Sequence, residues 1–330
     1  MISWDSITSL LQAAIVFGTV ILYGAVGEVL TEKSGNLNLG VPGIMYLGGI
    51  AGLAGAFIYE SNCAEPLPAL CLIIALGSAF LASILGALIF GVLTISLRAN
   101  QNVAGLTLTI FSSGLANFFG GSLNTMAGGV GQISVAVTSG VFRTNIPFLK
   151  NIPVVGNLLF SYGFMVYLAL LLAFVVDWFL KRTSVGLNLR AVGENPATAD
   201  AAGINVTKYK YLATCIGGGI TGLGGLYYVM DYIKGTWAND GGIERLGWLA
   251  VALVIFASWR SKRAIWGAYL FGILFWLFLY IPGLNRSTQE LFKMLPYAVT
   301  IGVLIVVSLR RRRENQPPAN LGQSYFREER

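Results

Sequence analysis

Apolar residues in this chain fall into long blocks rather than into the short alternating runs of β-strands. The blocks cover residues 7–30, 39–59, 69–97, 102–119, 162–180, 209–230, 243–258, 264–281 and 294–309. A helix needs roughly 20 apolar residues to cross the hydrocarbon core of a bilayer, and about 17 suffice in short cases, so the pattern predicts an all-α fold: a polytopic transmembrane helical bundle of about nine spans. The third block is long enough to tilt or break, and the fourth is polar enough to be a broken or re-entrant helix. Residues 1–309 read as one membrane domain. Residues 310–330 are polar, contain Pro317-Pro318 and have little to bury, which predicts a disordered cytoplasmic tail.

Composition sharpens this picture. Of 330 residues, 55% are hydrophobic and 11% charged, whereas a soluble chain carries roughly a quarter charged residues. No water-soluble fold hides that much apolar surface. The net charge of +7 would suggest nucleic acid in a soluble protein; here the basic residues lie between the blocks, where they act as topology signals and meet membrane lipid. Cys71 and Cys215 fall in apolar blocks and Cys63 in a short polar loop, and the chain has no His. Neither a disulfide framework nor a metal site is predicted, and no cofactor is implied. No Lys or Arg precedes Lys33, so the first block lacks the basic start of a cleaved signal peptide and is expected to remain as a span. Placing the run Arg310 to Arg313 in the cytoplasm and alternating backwards leaves six of the 22 basic residues outside, among them Arg143 and Arg245. This orientation puts the N-terminus outside and the C-terminus inside.

Two polar segments interrupt the blocks. The external one, residues 120–161, is a candidate docking surface or cap. The internal one, residues 183–208, holds Asn195, a good N-cap, then Pro196, suited to the first helical turn, and Gly203, suited to a left-handed C-terminal cap. These predict a short helix over 196–202. A helix of two turns is marginal alone, so it must seat against something else. In the fourth block Asn102, Gly105, Thr109, Ser112, Ser113 and Asn117 recur mostly at helical spacing, which puts them on one face. That face reads either as interhelical packing or as a wet solute path; Asn102, Thr109, Ser112, Ser113 and Asn117 are the candidate path residues, suited to an uncharged, hydroxyl-rich or heterocyclic solute. Residues 48–55 and 218–225 share the pattern Gly-Gly-Ile-x-Gly-Leu-x-Gly, the trace of a duplication or a coincidence, with close helix packing as its immediate meaning. Trp178, Trp237, Trp248, Trp259 and Trp266 lie near block ends and are expected to anchor at the interface.

The run Gly186-Leu187-Asn188-Leu189-Arg190-Ala191-Val192-Gly193-Glu194-Asn195-Pro196-Ala197-Thr198-Ala199-Asp200-Ala201-Ala202-Gly203-Ile204 resembles the coupling region of permeases of ABC importers for branched-chain amino acids, simple sugars and nucleosides. The resemblance continues at Glu32-Lys33-Ser34-Gly35-Asn36-Leu37-Asn38-Leu39-Gly40, at Gly43-Ile44-Met45 and at Ala99-Asn100-Gln101-Asn102-Val103-Ala104-Gly105, and is closest to the nucleoside and simple-sugar branch. Pro42 departs from it, standing where many members carry an acidic residue. The resemblance implies a bacterial plasma-membrane permease without an ATPase site of its own. It also implies an ABC ATPase subunit, a second permease and an extracytoplasmic substrate-binding protein as partners. Arg190, Gly193, Glu194, Asn195, Pro196, Ala199, Ala202 and Gly203 would form the surface that rides on the ATPase. Arg190 and Glu194 read either as ion-pair partners of that subunit or as solvated loop charges.

No G-x-x-x-x-G-K-[ST] phosphate loop occurs. No nucleophile stands beside a credible base, which sets an intramembrane enzyme aside. Glu28, Asp177 and Asp231 sit near block ends, so the acidic relay of a proton-coupled carrier is poorly supported. A stand-alone secondary transporter or channel is the alternative to the ATP-driven importer.

Overall fold

The computed structural model describes residues 4–128, 133–144, 158, 160–281, 283–310 and 316–326. Its helices are α1 (Trp4–Glu32), α2 (Val41–Asn62), α3 (Pro68–Gly91), α4 (Gln101–Met126), α5 (Ala136–Phe142), α6 (Phe164–Arg182), α7 (Ser184–Glu194), α8 (Pro196–Ala201), α9 (Val206–Tyr227), α10 (Gly242–Phe256), α11 (Ser261–Trp276), α12 (Arg286–Lys293) and α13 (Leu295–Arg310). Among the described residues, 7 helices are long and apolar enough to cross a membrane, or up to 8 if α12 and α13, bent by 40°, count as one span. The nine expected spans are reduced at two places. The block at 243–258 becomes α10, whose 15 residues reach only about 22 Å at 1.5 Å per residue. The last block enters the count only through the bent pair. Even so, Gly242 lies against the Tyr228 hydroxyl near one end of α9, while Trp259, just past α10, meets Glu32 in the last turn of α1.

Helices α1 and α9 form the spine, each with 83% of its most apolar stretch buried, against 28% for α3. The shared glycine pattern explains how they are held. Its two copies face each other: a methyl at Gly48 would fall 2.7 Å from the Gly222 Cα, and one at Gly49 would meet the Gly225 carbonyl oxygen at 3.1 Å. Only residues without a side chain allow α2 and α9 to touch backbone to backbone, and close van der Waals contact is what joins helices where lipid is as apolar as the core.

Helices α3 and α9 both end in a π-helical turn, Val92–Ser96 and Tyr228–Tyr232, and each is followed by a basic residue with positive φ, Arg98 at 56° and Lys234 at 59°. The closing bonds match as well: Leu97 N to Val92 O and Ala99 N to Leu93 O at one, Ile233 N to Tyr228 O and Gly235 N to Val229 O at the other.

The external segment departs from a loop. Residues 120–126 continue α4, and α5 is pinned by Thr138 N to Glu60 Oε1 at 2.6 Å and Ser139 Oγ to the Met230 carbonyl at 2.8 Å. Gly129, Pro147 and Pro153 of this segment lie outside the described residues. Trp237 and Trp259 are corrected from interface anchors to core residues, 4% and 9% exposed; Trp178 and Trp266 are largely exposed. Pro42 begins α2 and packs on Gly247, an apolar contact that an acidic side chain would not make.

Candidate functional site

The candidate coupling region folds as two capped helices. Thr183 caps α7 by accepting from Gly186 N at 3.0 Å, and Asn195 caps α8 by accepting from Thr198 N at 3.0 Å. Pro196 occupies the first turn of α8, where the missing N–H would have had no partner anyway. Ala202 is the C-cap, and Gly203 takes φ +83°, with Gly203 N on Asp200 O and Ile204 N on Ala199 O. The helix at 184–194 was not legible in the sequence, because Gly186, Asn188 and Gly193 are weak helix formers.

Burial divides the eight candidate coupling residues. Gly193, Pro196 and Ala199 are buried, whereas Arg190, Glu194, Asn195, Ala202 and Gly203 are exposed. Ala199 joins Val192 and Val206 in a small core completed by Ile204, Tyr209 and Tyr325, which is the seat that so short a helix requires. Gly193 marks the closest approach of α7 to the loop after α1: a methyl there would collide with the Lys33 carbonyl and lie 3.1 Å from Gly35 N.

That loop is a hub. Glu28, 1% exposed, accepts from Asn38 N at 3.1 Å and Asn38 Nδ2 at 3.3 Å. Asn38 Oδ1 accepts from Gly40 N, Asn36 Nδ2 donates to Thr214 Oγ1 on α9, and Leu37 N donates to Gln101 Oε1 on α4. Glu32 accepts from the Trp259 indole; Ser258 and Trp259 take φ of 52° and 55°, a conformation that costs non-glycine residues about 1–3 kcal/mol each. Sequence reasoning placed Glu28 only at a span end. Its partner Asn38 and the Glu32 partner Trp259, 227 positions away, carry no local signal.

The same end of the bundle is basic. A cavity of about 310 Å³ is lined by Lys33, Asp177, Lys181, Arg190, Trp259 and Arg260. Buried Asp177 pairs with Lys181 at 2.7 Å and Lys262 at 3.7 Å. Lys33 is brought down from 10.5 to about 8, first by burial, with Glu194 opposing and Arg190 and Arg260 adding to the shift.

The polar stripe of α4 divides too. Gly105, Thr109 and Ser112 are buried, with Thr109 Oγ1 donating to the Leu39 carbonyl at 3.3 Å, so these pack on α2 and its preceding loop. Asn102 is exposed and Ser113 and Asn117 are half-buried. Ser112 Oγ and Asn117 Oδ1 are buried without a hydrogen-bond partner among the described residues. A second feature, missed in the sequence, is a cavity of about 520 Å³ at the opposite end from the basic cluster. Its walls include stacked Tyr228 and Tyr232, with centroids 5.2 Å apart, and stacked Phe17 and Phe275 at 4.3 Å. Asp240, Arg245, Glu290 and Lys293 stand among its lining residues. The described residues contain no group of three or more metal-ligating side chains.

Residues 10–304 match the family described as branched-chain amino acid transport system, permease component. Among similar proteins, the putative glucose ABC transporter permease protein TsgC13 of Haloferax volcanii is 34% identical over 97% of this chain and 98% of its own length. The guanosine ABC transporter permease protein NupQ of Bacillus subtilis is 31% identical, and the nucleoside ABC transporter permease protein NupC of Lactococcus lactis 30%, each over 88% of this chain and 89% of its own. No solved structure matches the chain. These likenesses decide between the two transport readings in favour of the ABC system. The chain belongs to the family of permease components of the branched-chain amino acid transport system and is a multi-pass membrane permease subunit of an ABC transporter.

Proposed function

We propose that this permease serves an importer of a nucleoside or simple sugar, and that α7 and α8 are the element through which a separate ATPase subunit drives it. The observation that carries this reading is the doubly capped α8. Its inner face is seated in Val192, Val206 and Tyr325, while Arg190, Glu194, Asn195, Ala202 and Gly203 stay exposed at the basic end of the bundle. Lys33, Arg98, Lys181, Arg190, Lys208 and Arg260 gather around the cavities at that end, and Arg143, Lys234, Arg245 and Lys293 around those at the other. Basic residues favour the cytoplasmic side, which supports a cytoplasmic position for the coupling helices. In this reading α10 crosses despite its length, and the termini fall on opposite sides, with the N-terminus outside.

The solute path runs along the flank of α4 that carries Asn102, Ser113 and Asn117, with a second permease opposite. An amide facing lipid would go unpaired, and glycines 114 and 121 on the same helix have nothing within 4 Å of where a side chain would begin. Thr109 and Ser112 support this flank from behind. The aromatic cavity at the outer end suits the same solutes, because ring faces accept a base or the apolar face of a sugar. An extracytoplasmic binding protein would deliver the solute there.

The test replaces an exposed residue of α8. Gly193 and Ala199 are unsuitable, since their burial makes any larger side chain a packing defect. Ala202→Arg should abolish uptake in proteoliposomes with the ATPase and binding protein, while insertion and thermal stability stay unchanged. Full uptake in that variant would defeat the coupling assignment.

A further inference from the structure

The tail expected to be disordered is instead laid across the coupling region. Residues 316–326 make bonds to four separate places. Asn320 N donates to the Gly193 carbonyl and Gly322 N to the Gly35 carbonyl, each at 3.1 Å. Ala319 N meets Glu194 Oε2 at 3.3 Å, and the Tyr325 hydroxyl donates to Asp200 Oδ2 at 3.0 Å. Gln101 Nε2 donates to the Gln323 carbonyl at 3.4 Å, and the Arg98 guanidinium lies 4.4 Å over the Phe326 ring. Leu321 packs on the main core and Tyr325 on the core under α8. The chain turns at Pro318, which accepts from Leu321 N, and passes through Gly322 at φ +79°, where a side chain would be strained.

These contacts form a pattern. They join α7 and α8 to the loop after α1, to the start of α4 and to the left-handed turn that follows α3. Without the tail, Gly193 is the tight backbone contact of α7 with that loop. The tail also borders an open cleft of about 700 Å³ lined by Arg98, Asp200, Asn205, Lys208 and Tyr325, next to the exposed residues of α8. A partner large enough to cover α8 meets this edge as well.

We propose that residues 316–326 are part of the docking surface for the ATPase subunit, a strap that fastens the coupling helices to α1 and α4 so that movement of α8 is delivered to both spans. The proposal rests on α8 being the coupling element and adds a second contact segment, at the other end of the chain. It assigns the strap a transmitting role: hydrolysis can continue without it, but less of it is converted into transport.

The experiment uses the full permease with its ATPase and binding protein in proteoliposomes, comparing Gly322→Val, deletion of 316–330 and Ala202→Arg. Expected is a fall in solute moved per ATP of about tenfold in the first two, within the usual range of couplings between sites, with hydrolysis retained. In a background with Cys63, Cys71 and Cys215 replaced, Gln323→Cys should cross-link to the ATPase subunit. Unchanged solute per ATP together with no cross-link would overturn the strap while leaving the coupling assignment intact, provided Ala202→Arg is still inactive. Normal uptake by Ala202→Arg would instead remove the reading beneath it. Should the deletion fail to insert, Gly322→Val and the cross-link decide the matter.

Discussion

Gly48→Ala is the smallest change that tests the spine. The added methyl would sit 2.6 Å from the Gly222 carbonyl carbon and 2.7 Å from its Cα, whereas carbon atoms rest about 3.5–4.0 Å apart. Both obstacles are backbone, so no rotamer change relieves them, and α2 must move away from α9 by about 1 Å. That movement also loosens the contacts of Gly49 with Gly225 and of Gly225 with Met45. Overpacking of this kind costs about 1–3 kcal/mol, against a gain of roughly 1 kcal/mol from replacing a helical Gly with Ala. With the obstacle rigid, the upper part of that range should prevail and leave a net loss of about 1–2 kcal/mol. Gly77→Ala is the control: it lies mid-helix in α3 with nothing within 4 Å of the new methyl, so only the propensity gain remains. Denaturant unfolding in detergent measures both. A Gly48→Ala protein as stable as the Gly77→Ala protein would refute the claim that the repeated motif works by backbone contact.

Further predictions concern the polar sites. Asn117→Leu should lower uptake about tenfold or more, the scale of one lost polar contact to solute, with unchanged stability; normal uptake would remove this flank of α4 from the path. Because folded Lys33 gives up its proton near pH 8 and the unfolded chain keeps it to about 10.5, the unfolded state holds more protons between these values and stability rises with pH there. Lys33→Met should flatten that rise in thermal unfolding between pH 7.5 and 10, and an unaltered slope would contradict the burial argument. Asp177→Asn should destabilise by about 1–2 kcal/mol, since its two partner lysines are 47% and 55% exposed and such pairs are worth up to ~1 kcal/mol each. The loss should shrink at high salt, so a salt-independent loss would point to packing instead.

What the sequence made legible follows from how local each signal is. The long spans announce themselves, because their apolar blocks continue through whole helices. The caps of α8 are equally local, resting on Asn195, Pro196 and Gly203 within one stretch. α10 is shorter than its apolar block, because the run continues into Ala257 and Ser258, where the helix has already ended. Thr109 and Asn117 share a helix face on paper, yet one backs onto the Leu39 carbonyl and the other does not, a difference that depends on where α2 lies. The strap was invisible for another reason: the bonds of Asn320 and Gly322 run from backbone to backbone, and no side-chain pattern records them. Conversely, Trp237 and Trp259 sit near block ends, as interface anchors do, but Gly120 and Glu32 draw them inward.

The backbone contact between α2 and α9 has a mechanical corollary. Two rods touching through bare main chain leave no slack, so neither can tilt against the other without opening a gap that no side chain fills. The α2–α9 pair must therefore travel as one block in any transport cycle. Helix α4 belongs to the same block, because a methyl at Gly43 would fall 2.7 Å from the Thr109 Cα and one at Gly105 2.8 Å from Leu39 N, again main chain on main chain.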